Sequence, residues 1–255
     1  RLYFSATYDV ESGLQSFYIL RPKPYGISIE DFDDVISTAE KIKGGIHMLF
    51  ESLYEKVQLA TRSSHTDVKI AIVLPYHALN KFVQFIQNKS SQIKWIVCVK
   101  TSDLLTTTDD TNNIVMSLKT STSESTEIGL LIDTLSSNPR TNILKMAKYF
   151  FVPNIFTTIT TNHEDAINDL RTIQATYYTP YKTPLVFYGL DHIDDIETGI
   201  VNGGRIFECK EVSQPSSRLE NINEESIDFL KSDAKKLAPK RILFDLPFKN
   251  TNKEK

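Results

Sequence analysis

The sequence predicts an α/β fold with a mainly parallel sheet flanked by helices, preceded by a hairpin and a helical pair. Two observations carry this reading. Residues 68–99 run strand, helix, strand in about thirty residues, which is the length of a βαβ unit with its right-handed crossover. Downstream, short apolar runs keep alternating with helical patterns, as in a layered parallel sheet. An irregular (β/α)8-like barrel is the alternative. It ranks second because no helix is apparent after the runs at 93–99 and 114–118.

The elements follow from local chemistry. Leu2-Tyr3-Phe4 and Phe17-Tyr18-Ile19-Leu20 are aromatic and β-branched runs around a turn-compatible stretch from Asp9 to Gly13, a hairpin signature. Pro22 and Pro24 stop the second strand. Ser28 and Asp31 fit a capping box, with Phe32, Val35, Ile36 and Ala39 on one helical face behind it. Gly44-Gly45 ends that helix, and Leu49, Phe50, Leu53 and Val57 stripe the next. Val68–Leu74 reads as a strand buried on both faces. A helix over 76–89 turns Leu79, Phe82, Val83 and Ile86 inward, and Ile93–Val99 is the next strand.

Beyond residue 100 the pattern loosens. Residues 101–127 read as two polar loops around a short strand at Ile114-Val115-Met116, followed by a strand at 128–132. A helix over 140–151, a strand at 155–160 and a helix capped by Asn162 come next. Strands at 185–188 and 205–209 flank a turn or short helix at 191–199. A helix over 224–237 and a last strand at 242–244 complete the series. The chain divides into an amino-terminal hairpin with two helices (1–66), an α/β domain (67–247) and a tail (248–255).

Composition narrows the function. The 255 residues are 40% hydrophobic and 24% charged, ordinary for a globular chain with a sizeable core. A net charge of −3 and a pI near 6.0 argue against the basic stripe that nucleic acid requires. Two distant cysteines, Cys98 and Cys209, build no disulfide framework, which points to an intracellular, reducing compartment. No apolar stretch approaches the roughly 20 residues of a membrane span. The stretch from Arg1 shows no leader pattern, so a trimmed or mature start is expected. Only nine glycines occur, and neither GxGxxG nor GxxxxGK[ST] is present. Dinucleotide and P-loop sites are therefore disfavoured, and no cofactor or metal is expected. The Asn, Ser, Thr, Ile and Lys bias resembles AT-rich eukaryotic or viral coding sequence.

Chemistry-bearing residues gather just after strands, where an open parallel sheet binds its ligands. His192 follows a strand within Asp191-His192-Ile193-Asp194-Asp195. Asp191 there could orient the imidazole, although acids also stabilise a helix start. His163 and His77 stand at two other strand-to-helix corners and could act as general bases, or be plain surface. Asp133 closes a strand. Its continuation Thr134-Leu135-Ser136-Ser137 lacks, at Leu135, the hydroxyl that an Asp-x-Ser-x-Ser cation loop requires. No His-Glu-x-x-His, Cys-x-x-Cys or Gly-x-Ser-x-Gly occurs. Two readings remain open, so catalysis is undecided. The first is a protein-interaction module or non-catalytic α/β subunit with a protein partner, supported by the tyrosines around Pro180. The alternative is a hydrolase or transferase using His192, Asp191, His163, His77 and Asp133 at the carboxyl ends of the strands.

Overall fold

Eight strands close into a barrel in chain order: β1 (Leu2–Asp9), β2 (Leu14–Pro22), β3 (Val68–Leu74), β4 (Ile93–Lys100), β5 (Thr126–Leu131), β6 (Tyr149–Pro153), β7 (Leu185–Leu190) and β8 (Gly204–Cys209). The computed structural model describes residues 1–23, 32–62, 67–89, 93–135, 139–154 and 163–232, the last stretch without the side chains of 163–167. From β2 to β8 every neighbouring pair is parallel. β1 is antiparallel to both β2 and β8. The cause is local: four residues separate β1 from β2, and so short a link can only reverse the chain. Asp9 Oδ1 fixes the turn by accepting from the Glu11 amide at 2.9 Å, and Gly13 takes a φ of +68°.

The α/β class and the mainly parallel pairing are as the sequence predicts, and of the two closures the structure adopts the barrel. Helices are present where the sequence predicts none. β4 is followed by α4 (Thr101–Thr106) and α5 (Thr111–Thr120). The expected short strand at 114–116 is therefore the middle of a helix. Asp110 caps it, accepting from the Asn113 amide at 2.8 Å, and Ile114 and Leu118, one turn apart, are buried. Likewise the helix expected over 140–151 is only α6 (Thr141–Leu144), and β6 begins at Tyr149. Phe150 and Phe151 face opposite sides of the sheet there, which suits a strand and not a helix. The capping box at Ser28 and the segments at 155–160, Asn162 and 242–244 lie outside the described residues.

Two cores result. The lumen is filled by alternate side chains of the strands, among them Phe17, Ile19, Cys98, Leu131 and Phe151. At Gly129 a Cβ would meet the Phe151 ring at 2.8 Å and Cys98 Sγ at 2.9 Å, so only glycine fits there. The outer faces pack against the helices. α2 (Gly45–Thr61) and α3 (Tyr76–Gln87) meet β4 through edge-to-face rings, Phe50–Phe82 at 5.1 Å and Phe82–Trp95 at 5.3 Å. The amino end of the barrel is tied by ion pairs. Arg205 meets Asp9 and Glu11, each at 2.9 Å, and Lys69 meets Glu127 at 2.9 Å.

Candidate functional site

The opposite, carboxyl end of the barrel gathers the polar groups. α1 (Phe32–Glu40) lies across this rim on the β3–β4 side. Near its start Asp33 reaches Lys100 Nζ at 2.5 Å, and at its end Glu40 meets Lys81 at 2.5 Å and His77 at 3.3 Å.

On the β4–β5 side Lys100 is bonded to Asp33, and Asp103 and Asp133 stand near enough to act on its charge. Asp133, directly after β5, accepts from Thr101 Oγ1 at 2.9 Å, from the Ser102 amide at 3.0 Å, and from Ser102 Oγ. Its carboxylate thus satisfies the open amide of the first turn of α4. Asp103 accepts from the Tyr76 amide at 3.0 Å and does the same for α3. Burial raises the Asp103 pKa. The Tyr76 amide and Lys100 pull it down, and Asp33 and Asp133 push it up. Burial alone would lower the Lys100 ammonium, but its bond to Asp33 and the charges of Asp33, Asp103 and Asp133 raise it.

At the β8 side of the mouth Arg21 and Glu208 form a buried bidentate pair, with both contacts at 2.7 Å. Glu208 is wholly buried and Arg21 retains 12% exposure. Ser5 Oγ accepts a further bond from Arg21 at 3.0 Å, and the Gly189 amide donates to Glu208 at 2.6 Å. Gly189 sits at a φ of +74°, within the register shift of β7 against β8. That shift aims its amide at the carboxylate.

The β7–β8 rim holds two exposed pairs. His192 Nδ1 lies 3.0 Å from Glu211 Oε1, and Glu211 Oε2 accepts from the Ile193 amide at 2.8 Å. His192 is 72% exposed, so its second nitrogen, Nε2, is the one positioned to exchange protons. The bond and charge of Glu211 raise the His192 pKa, and the bond from His192 lowers that of Glu211. Beside them Asp191 accepts from Lys210 Nζ, which lowers the Asp191 pKa. Asp191 and His192 precede α9 (Ile193–Val201), where the His192 amide donates to Asp195 at 3.3 Å, while Lys210 and Glu211 follow β8.

The sequence-predicted residues therefore share one end of the barrel without forming one cluster. β3 and β7 stand four places apart in a ring of eight. His77 and His192 accordingly belong to opposite sides of the mouth. His163 opens α7 (His163–Ile173); its side chain lies outside the described ones. Asp191 and His192 stand together, and Asp133 joins Lys100 and Asp103. Sequence reasoning missed Glu211, Lys100, Arg21 and Glu208. Strand alternation could have pointed inward at Arg21 and Glu208, since each continues a lumen-facing row.

No protein-family model matches the sequence, and no curated protein matches it. Solved structures do share its fold. The Bacillus subtilis YkuI protein, with an EAL domain, in complex with c-di-GMP and calcium, superposes with a TM-score of 0.69 at 11% identity; the match covers 93% of this chain and 60% of that one. The chain thus spans less than two thirds of YkuI. The PaMucR phosphodiesterase in its c-di-GMP complex gives 0.64 at 14% identity, over 89% and 93% of the two chains. The Pseudomonas aeruginosa FimX EAL domain bound to c-di-GMP gives 0.61 at 14%, over 87% and 92%.

These neighbours correct the first functional reading. The barrels on which this chain superposes include EAL domains from Bacillus subtilis and Pseudomonas aeruginosa and one phosphodiesterase. That runs against a protein-interaction module or non-catalytic subunit, and against a eukaryotic or viral assignment from composition. The alternative, a hydrolase with polar groups at the carboxyl ends of the strands, fits better. Among the described residues no helix is long and apolar enough to cross a membrane. The YkuI complex contains calcium. Among the described residues no three His, Cys, Asp or Glu side chains converge to hold a metal.

Proposed function

We propose that this chain is a phosphodiester hydrolase acting on a cyclic dinucleotide at the carboxyl mouth of its barrel. The observation that supports the reading best is the coincidence of an EAL-type barrel with an exposed His192–Glu211 pair on the β7–β8 rim. Glu211 holds Nδ1 and leaves Nε2 toward solvent, the arrangement of an imidazole oriented for proton transfer. In this reading Nε2 takes a proton from a water that attacks phosphorus. The ester P–O bond breaks, and the leaving sugar oxygen is protonated from solvent. Lys210, held by Asp191, supplies positive charge beside the phosphodiester. Asp133 fixes the α4 corner that borders the same mouth, and His77 braces α1 through Glu40. His163 opens the helix that follows β6 and remains a candidate second proton carrier.

Incubating the chain with c-di-GMP and separating the products by chromatography tests the proposal. Linear dinucleotide should appear with the wild type, and His192→Ala should slow it by about 10²-fold or more, the usual contribution of a general base. Intact c-di-GMP after prolonged incubation at stoichiometric protein would reject the reading.

A further inference from the structure

β8 pairs with β1 only at Tyr8 and Asp9, so the first half of β1 has no strand neighbour on that side. A loop takes the place. Ser216 exchanges two backbone bonds with Phe4, at 2.7 and 3.0 Å, and Ser213 Oγ accepts from the Ala6 amide at 3.0 Å. The turn that follows is fixed by its own bonds. Ser216 Oγ donates to Glu220 at 2.7 Å and accepts from the Arg218 amide at 3.2 Å. Arg218 thereby stands across from the last turns of α2, where Lys56, Leu59 and Ala60 share one face at helical spacing.

Between the loop, β1 and α2 lies an open groove of about 390 Å³. Sites for small molecules measure roughly 300–1,000 Å³. Leu2, Leu59 and Ala60 give this one an apolar wall, and Leu59 is left 58% exposed there. Arg1, Lys56 and Arg218 give it a cationic rim. Among the described residues none of these three is matched to a carboxylate. Apolar surface left in water favours an apolar occupant, and gathered positive charge favours an anionic one. The groove therefore fits a molecule that is both. Its concave form suits a single free chain, whereas a lipid surface is met by a helix laid flat on it.

We infer that this groove binds a medium-chain carboxylate anion. The alkyl chain lies along Leu2, Leu59 and Ala60, and the carboxylate meets Lys56 and Arg218. A guanidinium takes a carboxylate through two parallel hydrogen bonds, which orients the head and leaves the chain to the wall. The site shares no residue with the His192–Glu211 rim. It goes beyond the proposed hydrolysis and does not rest on it.

Calorimetric titration with sodium decanoate, without nucleotide, tests the inference. About one equivalent should bind saturably. Lys56→Gln and Arg218→Gln should each weaken it by about threefold to tenfold, the range for hydrogen bonds to partly exposed charged groups. Hexanoate should bind roughly tenfold more weakly, because four methylenes leave the wall. Decanol, which keeps the chain and lacks the charge, should lose as much as the two variants combined. Melting curves should match the wild type, since the substituted side chains are exposed. No saturable uptake of decanoate would overturn the inference. So would equal affinity in wild type and both variants, or decanol binding as well as decanoate. Sedimentation with anionic phosphatidylglycerol vesicles, in a chain that takes up no free decanoate, would assign the groove to a membrane surface and reject it too. Failure to cleave c-di-GMP would sink the proposed activity and leave this site standing.

Discussion

Glu211 and His192 stabilise each other's charged forms, and the pH range of that pairing follows from the two shifts. The histidine pKa is raised, so its share is complete below the ordinary value of 6.5 and fades as pH rises through the raised one. The Glu211 pKa is lowered, so its share is complete above 4.5 and fades as pH falls through the lowered value. Glu211→Gln should therefore lower the His192 pKa, read directly by NMR titration of the imidazole. The acid limb of the pH–rate profile should move down with it. An unmoved titration would show that Glu211 does not hold the ring. Arg21 and Glu208 behave differently because they are buried. Removing one partner strands the other, so Arg21→Met should cost about 3–5 kcal/mol in denaturant unfolding, whereas the double change Arg21→Met, Glu208→Leu should cost markedly less. Equal losses would deny the pair its coupling. His192 was legible from its place after an apolar run. Glu211 was not, because its partner lies nineteen positions away and meets it only when β7 and β8 align.

Elements were legible where pattern and propensity agreed. β3 and α3 show it: seven residues buried mostly on both faces, then a helix with Leu79, Phe82, Val83 and Ile86 turned inward. α5 was misread because Ile114 and Val115 favour strands locally, while the burial of Ile114 and Leu118 one turn apart decides the outcome. β6 was merged into a helix because its strand is only five residues long. Asp110→Ala should cost about 1 kcal/mol, the worth of an N-cap, and should lower α5 helicity. Phe82→Ala removes a ring packed between Phe50 and Trp95 and should cost about 3–5 kcal/mol in the same unfolding experiment. A Phe82→Ala loss under 1 kcal/mol, roughly a surface substitution's effect, would contradict this packing.

At the scale of the whole molecule, parallel pairing could be read from the chain, but closure could not. Nothing local tells an open sheet from a ring. Closure depends on β1 pairing with β8 through Tyr8 and Phe207, partners nearly two hundred positions apart. It also depends on helices after β4 that a Thr- and Ser-rich stretch conceals. Once closed, the barrel collects its post-strand residues at one end, and that end is where a cyclic dinucleotide is proposed to sit. An experimental structure of the chain with c-di-GMP would show where the nucleotide binds. A phosphodiester beside His192 and Lys210, at the carboxyl mouth, is the predicted result. A nucleotide seated at the amino end near Arg205 and Lys69, or on the outer helices, would contradict it.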